Sequence, residues 1–388
     1  MAITNKEEGV WSIDQVYAKQ NQGSIWDYSE GFNLFSTGQN SHGALGVNDR
    51  TNRSSPIQIT GSWVASTSST NASKLHIKKD KTLWAVGLNE YGSLGQNSNQ
   101  KFSSPTQIPG SWVAISSGSQ IGAVTGIKDD GTMWSWGQNE YGQLGINKSP
   151  SDFNFVSSPT QVPGTTWSTI TTTTQLAQGG YTCHALKTDG TLWAWGYNAQ
   201  GNLGQNNKTN YSSPVQIPGT TWSSVAHGFM NGMAFKTDGT LWVWGNNGYG
   251  NLGLNNQTQY SSPKQIPGTT WKNGFTADSS TGAIKTDGTL WTWGRNQSGE
   301  CGHNDRTARS SPEQVPGTTW DSINSSGYAS FSNKTDGTLW SWGYGAQGQL
   351  GQNSLTNRSS PAQIPGTSWA SFVRNSSQGR IASFLQLQ

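Results

Sequence analysis

Lys236-Thr237-Asp238-Gly239-Thr240-Leu241-Trp242-Val243-Trp244-Gly245 is followed by Asn246-Asn247-Gly248-Tyr249-Gly250-Asn251-Leu252-Gly253, then by Tyr260-Ser261-Ser262-Pro263 and Ile266-Pro267-Gly268-Thr269-Thr270-Trp271. This stretch decides the fold because the chain repeats it. Aligned on the glycine that closes the Trp-Gly pair, the copies fall at Gly38, Gly87, Gly137, Gly196, Gly245, Gly294 and Gly343, at intervals of 49, 50, 59, 49, 49 and 49 residues. A period of this length marks one supersecondary unit that cannot bury its own apolar face and must stack on its neighbours.

Four short strands fit each copy. Asp130-Gly131, Asp189-Gly190, Asp238-Gly239, Asp287-Gly288 and Asp336-Gly337 stand between β-prone runs and predict tight two-residue hairpins. The Leu-Trp-x-Trp run after each is apolar on both faces, as a strand sandwiched between neighbouring sheets must be. Ser-Ser-Pro opens the next strand and Ile-Pro-Gly-Thr ends it, with Pro-Gly suited to the centre of a type II turn. The last strand starts at Trp63, Trp112, Trp167, Trp222, Trp271, Trp320 or Trp369.

The ends of the chain favour a ring over an open stack. The first copy begins in mid-repeat at Gly31-Phe32-Asn33-Leu34-Phe35, and the chain finishes with Trp369 and Ile381-Ala382-Ser383-Phe384-Leu385, the half that the first copy lacks. The expected fold is all-β: a closed seven-bladed β-propeller of four-stranded antiparallel blades. One blade is shared by the N- and C-terminal strands, which leaves no sheet edge open. Residues 31–388 form this propeller and residues 1–30 a short extension.

The repeat resembles that of the RCC1-like propellers, which carry the same Asp-Gly, Trp-Gly, Asn-x-x-Gly-x-Leu-Gly and Pro signature. The likeness extends over residues 31–388. It weakens in the first copy, which lacks both tryptophans of the strand, and in the second, where Asp80-Lys81 replaces Asp-Gly.

Composition narrows the function. Hydrophobic residues are 31% and charged residues 12% of the chain, so the 20 tryptophans must supply much of the core. A net charge of +3 without a basic run argues against nucleic-acid binding. No stretch reaches the length of a membrane span, and the N-terminus has no apolar signal core, so no membrane insertion and no export signal are expected. Cys183 and Cys301 lie in different repeats and read as small core residues. His42, His76, His184, His227 and His303 show no metal spacing, so no metal and no cofactor are expected. Gly248-Gly250-Gly253 and Gly343-Gly345-Gly348 match Gly-x-Gly-x-x-Gly, but neither is followed by a helical pattern that would let it cradle a dinucleotide. No catalytic residue can be named, and the chain reads as non-enzymatic.

Comparing the copies separates what the scaffold needs from what varies. The turns stay fixed, whereas the segments after the first tryptophan of each blade differ. By strand counting these emerge on the rim of the Asn-x-x-Gly-x-Leu-Gly loops. The third copy adds four residues between Gly145 and Pro159 and six between Trp167 and Gly190. Phe153, Phe155, Tyr181, His227, Phe229, Met230 and Tyr328 in these segments are the candidate binding residues, of types suited to interface anchors or to stacking on a sugar.

The leading segment carries Trp11, Ile13, Val16, Tyr17 and Trp26, and Ser12 can cap a short helix that needs a surface to dock on. The run Glu7-Glu8-Gly9-Val10-Trp11-Ser12-Ile13-Asp14-Gln15-Val16-Tyr17 resembles the opening of structural proteins of tailed bacteriophages, including marine, cyanophage-type ones with RCC1-like propellers. That resemblance implies a virion protein of the tail or capsid surface, made in the host cytoplasm. Residues 1–30 would anchor it to other virion proteins, and the propeller rim would face a host-surface glycan or protein. The alternative is a protein-binding scaffold, or an inhibitor-like propeller, that acts through its variable rim. Nucleotide exchange on a GTPase, the family's eukaryotic role, ranks third: the basic tail that goes with it is absent, and its functional positions find no residue-by-residue match.

Overall fold

The computed structural model describes residues 32–38, 40–68, 73–117, 122–148, 154–168, 176–179, 181–228, 230–277, 280–325, 328–346, 348–367, 369–373 and 383–386. The expected helix near Ser12 lies outside them. The described elements are all β-strands, arranged as antiparallel sheets.

β1 (Phe32–Gly38) pairs with the first half of β2 (Arg53–Ser68). The second half of β2 continues into the first complete blade, with β3 (Ser73–Lys78), β4 (Leu83–Gly87) and β5 (Phe102–Ile108). The second blade is β6 (Trp112–Ser117), β7 (Val124–Lys128), β8 (Met133–Gln138) and β9 (Phe155–Gln161). The third is β10 (Leu176–Gly179), β11 (Thr182–Leu186), β12 (Leu192–Gly196) and β13 (Tyr211–Ile217). The fourth is β14 (Trp222–His227), β15 (Asn231–Lys236), β16 (Leu241–Gly245) and β17 (Tyr260–Ile266). The fifth is β18 (Trp271–Thr276), β19 (Ser280–Lys285), β20 (Leu290–Gly294) and β21 (Arg309–Gln314). The sixth is β22 (Trp320–Ser325), β23 (Ala329–Lys334), β24 (Leu339–Gly343) and β25 (Arg358–Gln363). β26 (Trp369–Val373) and β27 (Ser383–Gln386) form a two-stranded sheet. With β1 and the first half of β2 they supply the strand complement of a seventh blade, although no pairing between β27 and β1 occurs among the described residues. The innermost strands of successive blades pack on one another, β2 on β6, β6 on β10, and so on to β22.

Each hairpin before the Leu-Trp strand is one residue longer than its Asp-Gly pair implied. Gly239 N donates to Lys236 O and Lys236 N to Thr240 O, both at 3.0 Å, which closes a three-residue loop with only Gly239 at positive φ, +76°. A type I turn followed by one left-handed residue uses Asp at the second turn position and Gly after it, so the pair does not need to occupy both central places. Lys81 takes the left-handed place in the second copy at φ 63°.

The same turn anchors a relay. Trp242 Nε1 donates to Thr240 Oγ1 at 2.9 Å, and Thr240 donates through Oγ1 at 2.7 Å and N at 3.0 Å to Asp238 Oδ1. The arrangement recurs from Asp80, Asp130, Asp189, Asp287 and Asp336. The Thr240 hydroxyl and amide hold the Asp238 carboxyl below its ordinary range. Beside the relay, Lys236 Nζ lies 4.7 Å from the ring centroids of both Trp222 and Trp242. Lys78, Lys128, Lys187, Lys285 and Lys334 stand between their own indole pairs at 3.9 to 5.2 Å. Each lysine lays its stem on indole while its charge meets two ring faces.

The second tryptophan of each strand ties blade to blade. Trp136, Trp195, Trp244, Trp293 and Trp342 are fully buried. Their Nε1 atoms donate to Ser93 O, Gln143 O, Asn202 O, Asn251 O and Glu300 O of the preceding blade at 2.8 to 3.0 Å. The acceptor loop is braced by its asparagine: Asn247 Oδ1 accepts from Leu252 N at 2.9 Å, and Asn247 Nδ2 donates to Asn256 O and Thr258 O. Buried between these parts, His184 of β11 stacks on His227 of β14, ring centroids 4.6 Å apart. Cys183 and Cys301 are free and buried, as their positions in the repeat implied.

Three outcomes follow from this packing. A Cβ on Gly253 would meet Trp293 Nε1 at 2.8 Å at φ +69°, whereas one on Gly248 meets nothing nearer than Asn246 Oδ1 at 3.7 Å. In urea unfolding, Gly253→Ala is therefore expected to cost at least about 2 kcal/mol. Gly248→Ala should stay within about 0.5 kcal/mol, and equal costs would refute the contact argument. Lys236→Met keeps the stem and removes the charge, so a loss of about 1 kcal/mol is expected, and an unchanged midpoint would reduce the lysine to packing. Burial pushes His184 down from 6.5 to about 3. With the folded pKa depressed, its stabilisation is complete above pH 6.5 and is lost as pH falls toward 3. Below pH 6, unfolding free energies of His184→Met should decline less steeply than those of the unaltered chain, by about 1.4 kcal/mol per pH unit. Parallel curves would show that this histidine does not titrate on unfolding.

Candidate functional site

The Asn-x-x-Gly-x-Leu-Gly loops and the connections between first and second strands share one rim, as strand counting implied. Tyr181, in the connection before β11, packs on Tyr141 and Tyr197 of the long loops at 4.4 and 5.9 Å, and its carbonyl accepts from Tyr197 N at 2.9 Å. The opposite face carries the hairpins. There Trp112, Trp167, Trp222, Trp271, Trp320 and Trp369 bond back to the preceding turn, as Trp271 N does to Gly239 O at 3.0 Å.

The sequence-derived candidates separate on this frame. Phe153 and Phe229 lie outside the described residues, as do Trp11, Ile13, Val16, Tyr17 and Trp26. Phe155 opens β9 opposite Gln138 and is 41% exposed. Tyr328 is 40% exposed and carries the Arg295 guanidinium 4.3 Å above its ring. Met230 is half-buried, its carbonyl accepting from Asn246 N at 2.9 Å. His227 is buried beneath the rim on His184, because the end of β14 turns inward between two blades, and it presents no surface to a ligand. Tyr181 belongs to an aromatic cluster on the rim itself.

That cluster holds two residues that sequence reasoning passed over. Tyr141 and Tyr197 have ring centroids 5.1 Å apart, and with Tyr181 they make a half-buried patch between the second and third blades. Glu140 stands exposed beside it and accepts from Gln138 Nε2 at 3.1 Å. Burial first, and the Glu140 carboxylate second, raise the Tyr141 and Tyr181 hydroxyls above the usual phenol range. Tyr91 and Tyr249, at the same loop position as Tyr141, are 38% and 47% exposed. The signal was present: this position reads His42, Tyr91, Tyr141, Gln200, Tyr249, Ser298 and Gln347 across the copies, variable in the middle of a motif otherwise held fixed.

Between the fifth and sixth blades, Arg295 also donates to Glu300 Oε1 at 3.2 Å, and Glu300 Oε2 accepts from Ser298 N at 2.7 Å. Burial raises the Glu300 carboxyl above its ordinary range, against the opposing pull of its hydrogen bonds and of Arg295. Among the described residues no group of three or more metal-ligating side chains comes together.

Comparison with known proteins agrees with this geometry. No curated protein matches the chain. Among solved structures, Prp20p from Saccharomyces cerevisiae is similar at 18% identity and a TM-score of 0.69, covering 87% of each chain; its report concerns binding to Gsp1p and histones. Human WBSCR16 is similar at 19% identity and a TM-score of 0.70, with 86% of this chain and 94% of that one covered. Yeast RCC1 (Prp20) bound by Kap60 is similar at 18% identity and a TM-score of 0.68, with 95% and 89% covered. These likenesses show the fold. The RCC1-like domain matches residues 33–384, and the chain belongs to that family.

Proposed function

We propose that this propeller is a non-enzymatic protein-binding scaffold that engages its partner through the long-loop rim. The observation that carries the reading is the contrast between its two faces. The hairpin face presents the same Asp-Thr-Trp relay and Lys-Trp sandwich six times over, which offers a partner nothing to distinguish one blade from the next. The rim exposes Tyr91, Phe155, Tyr249 and Tyr328 where the copies differ. Large aromatics on a rigid frame are what interface hot spots are made of. The protein partners named for the structurally similar Prp20p and yeast RCC1 are in keeping with this reading. Nucleotide exchange has only the shared fold behind it, which is a poor warrant for function. The virion reading rests on the run Glu7 to Tyr17 and draws nothing from the comparisons.

A photo-cross-linking residue placed at Tyr249 tests the face directly, with the same residue at Asp238 as the control on the hairpin side. Discrete protein adducts are expected from position 249 and none from 238 in cells producing the chain. Tyr328→Ala should weaken the captured complex about tenfold or more with its melting temperature unchanged. Adducts from position 238 alone, or capture of a glycan in place of a protein, would overturn the reading.

A further inference from the structure

The repeat contains an internal template for one spot on the rim. At the junction of the fifth and sixth blades, Arg295 follows the Trp-Gly pair, spreads over Tyr328 at 4.3 Å and bonds Gln297 Oε1 at 2.7 Å through its terminal nitrogen and Glu300 Oε1 at 3.2 Å. At the junction of the second and third blades the equivalent positions hold Gln138 for Arg295, Glu140 for Gln297 and Tyr181 for Tyr328. The aromatic acceptor is retained, Tyr197 matches Tyr344, and Tyr141 in place of Ser298 adds a ring; the carboxylate stands at Glu140 in place of Gln297 while Gln143 replaces Glu300, and the cation is gone. Among the described residues no lysine or arginine pairs with Glu140. Phe155 stands directly across the strand pair from Gln138.

Resting on the proposal that the rim binds protein, we infer that Tyr141, Tyr181 and Tyr197, with Glu140, form an anchor site for an arginine side chain of the partner. The negative faces of the phenol rings and the carboxylate attract the same charge. A planar guanidinium can stack on a ring and donate to Glu140 at once, which an ammonium does less well. The chain itself makes this contact three blades further on with a residue of its own, so the anchor reproduces in trans what Arg295 does in cis.

The probes are acetylated, amidated Gly-Arg-Gly and its Gly-Lys-Gly and Gly-Glu-Gly counterparts, titrated into the full chain carrying ¹³C-tyrosine. Saturable shifts of the Tyr141, Tyr181 and Tyr197 signals are expected with the arginine peptide, weaker ones with lysine and none with glutamate. Glu140→Gln should weaken arginine binding about threefold. Gln138→Arg, which restores the cation in cis, should suppress it while the melting temperature holds. Absence of saturable shifts, or shifts unchanged in both variants, would overturn the inference. If position 249 still captures a protein when Gln138→Arg and Glu140→Gln leave capture and peptide shifts untouched, the anchor fails and rim binding stands. If the peptide binds as expected while position 249 captures nothing, the anchor's chemistry holds and rim binding of a protein is what fails.

Discussion

The indole-to-carbonyl bond from each blade to the loop behind it is the constraint on which the rest of this structure depends. A single four-stranded sheet has no interior, so Trp244 or Trp293 becomes buried only when a neighbour's loop closes over it. The loop must offer a carbonyl at hydrogen-bond distance and leave room for the ring. Asn251 O does the first for Trp293 and Gly253 the second. The buried Asn247, bonded at both ends of its amide, holds the loop in the shape that makes both possible. One seven-residue motif thus carries the acceptor, the clearance and the brace. A chain with only 31% hydrophobic residues builds a core because large rings are placed where two blades can share them.

The two tryptophans of each Leu-Trp-x-Trp strand have divided this labour. The second is dry and joins blades. The first is half-buried at the hairpin end, where its N–H feeds the threonine relay and its face receives a lysine. The terminal blade shows what happens where the device is not repeated. In register, Gln386 stands opposite Trp369 where Lys334 stands opposite Trp320, and Phe35 faces Gln58 where Trp340 faces Gln363.

Much of this was legible in the sequence, and the parts that were not share a cause. Strand number, blade order and the rim to which each loop belongs follow from spacing alone, because the period of Gly196, Gly245 and Gly294 leaves few alternatives. The lysine sandwich was invisible as chemistry: Lys236 and Trp242 sit six residues apart, across a turn whose geometry decides that they meet. Spacing alone places His227 among the rim candidates, because strand counting cannot say whether the end of β14 turns outward or in. The Tyr141 cluster was hidden for the opposite reason, since a residue inside a recurring motif looks like scaffold until its copies are compared position by position.

That comparison also shows where the scaffold lets go. Asp305 and Arg309 form an ion pair in the fifth blade, and Asp49 and Arg53 do so in the loop after β1. At the same two places, Asn207 donates to the Tyr211 hydroxyl at 3.0 Å and Asn256 to that of Tyr260 at 3.4 Å. Charged and neutral pairs substitute for each other because both partners lie in one copy and can change together. The inter-blade bond has no such freedom: its acceptor is backbone and its clearance is a glycine, so altering one copy injures the next. Variation is therefore driven toward positions that answer to no neighbour, and on this molecule those are the solvent-facing residues of the rim.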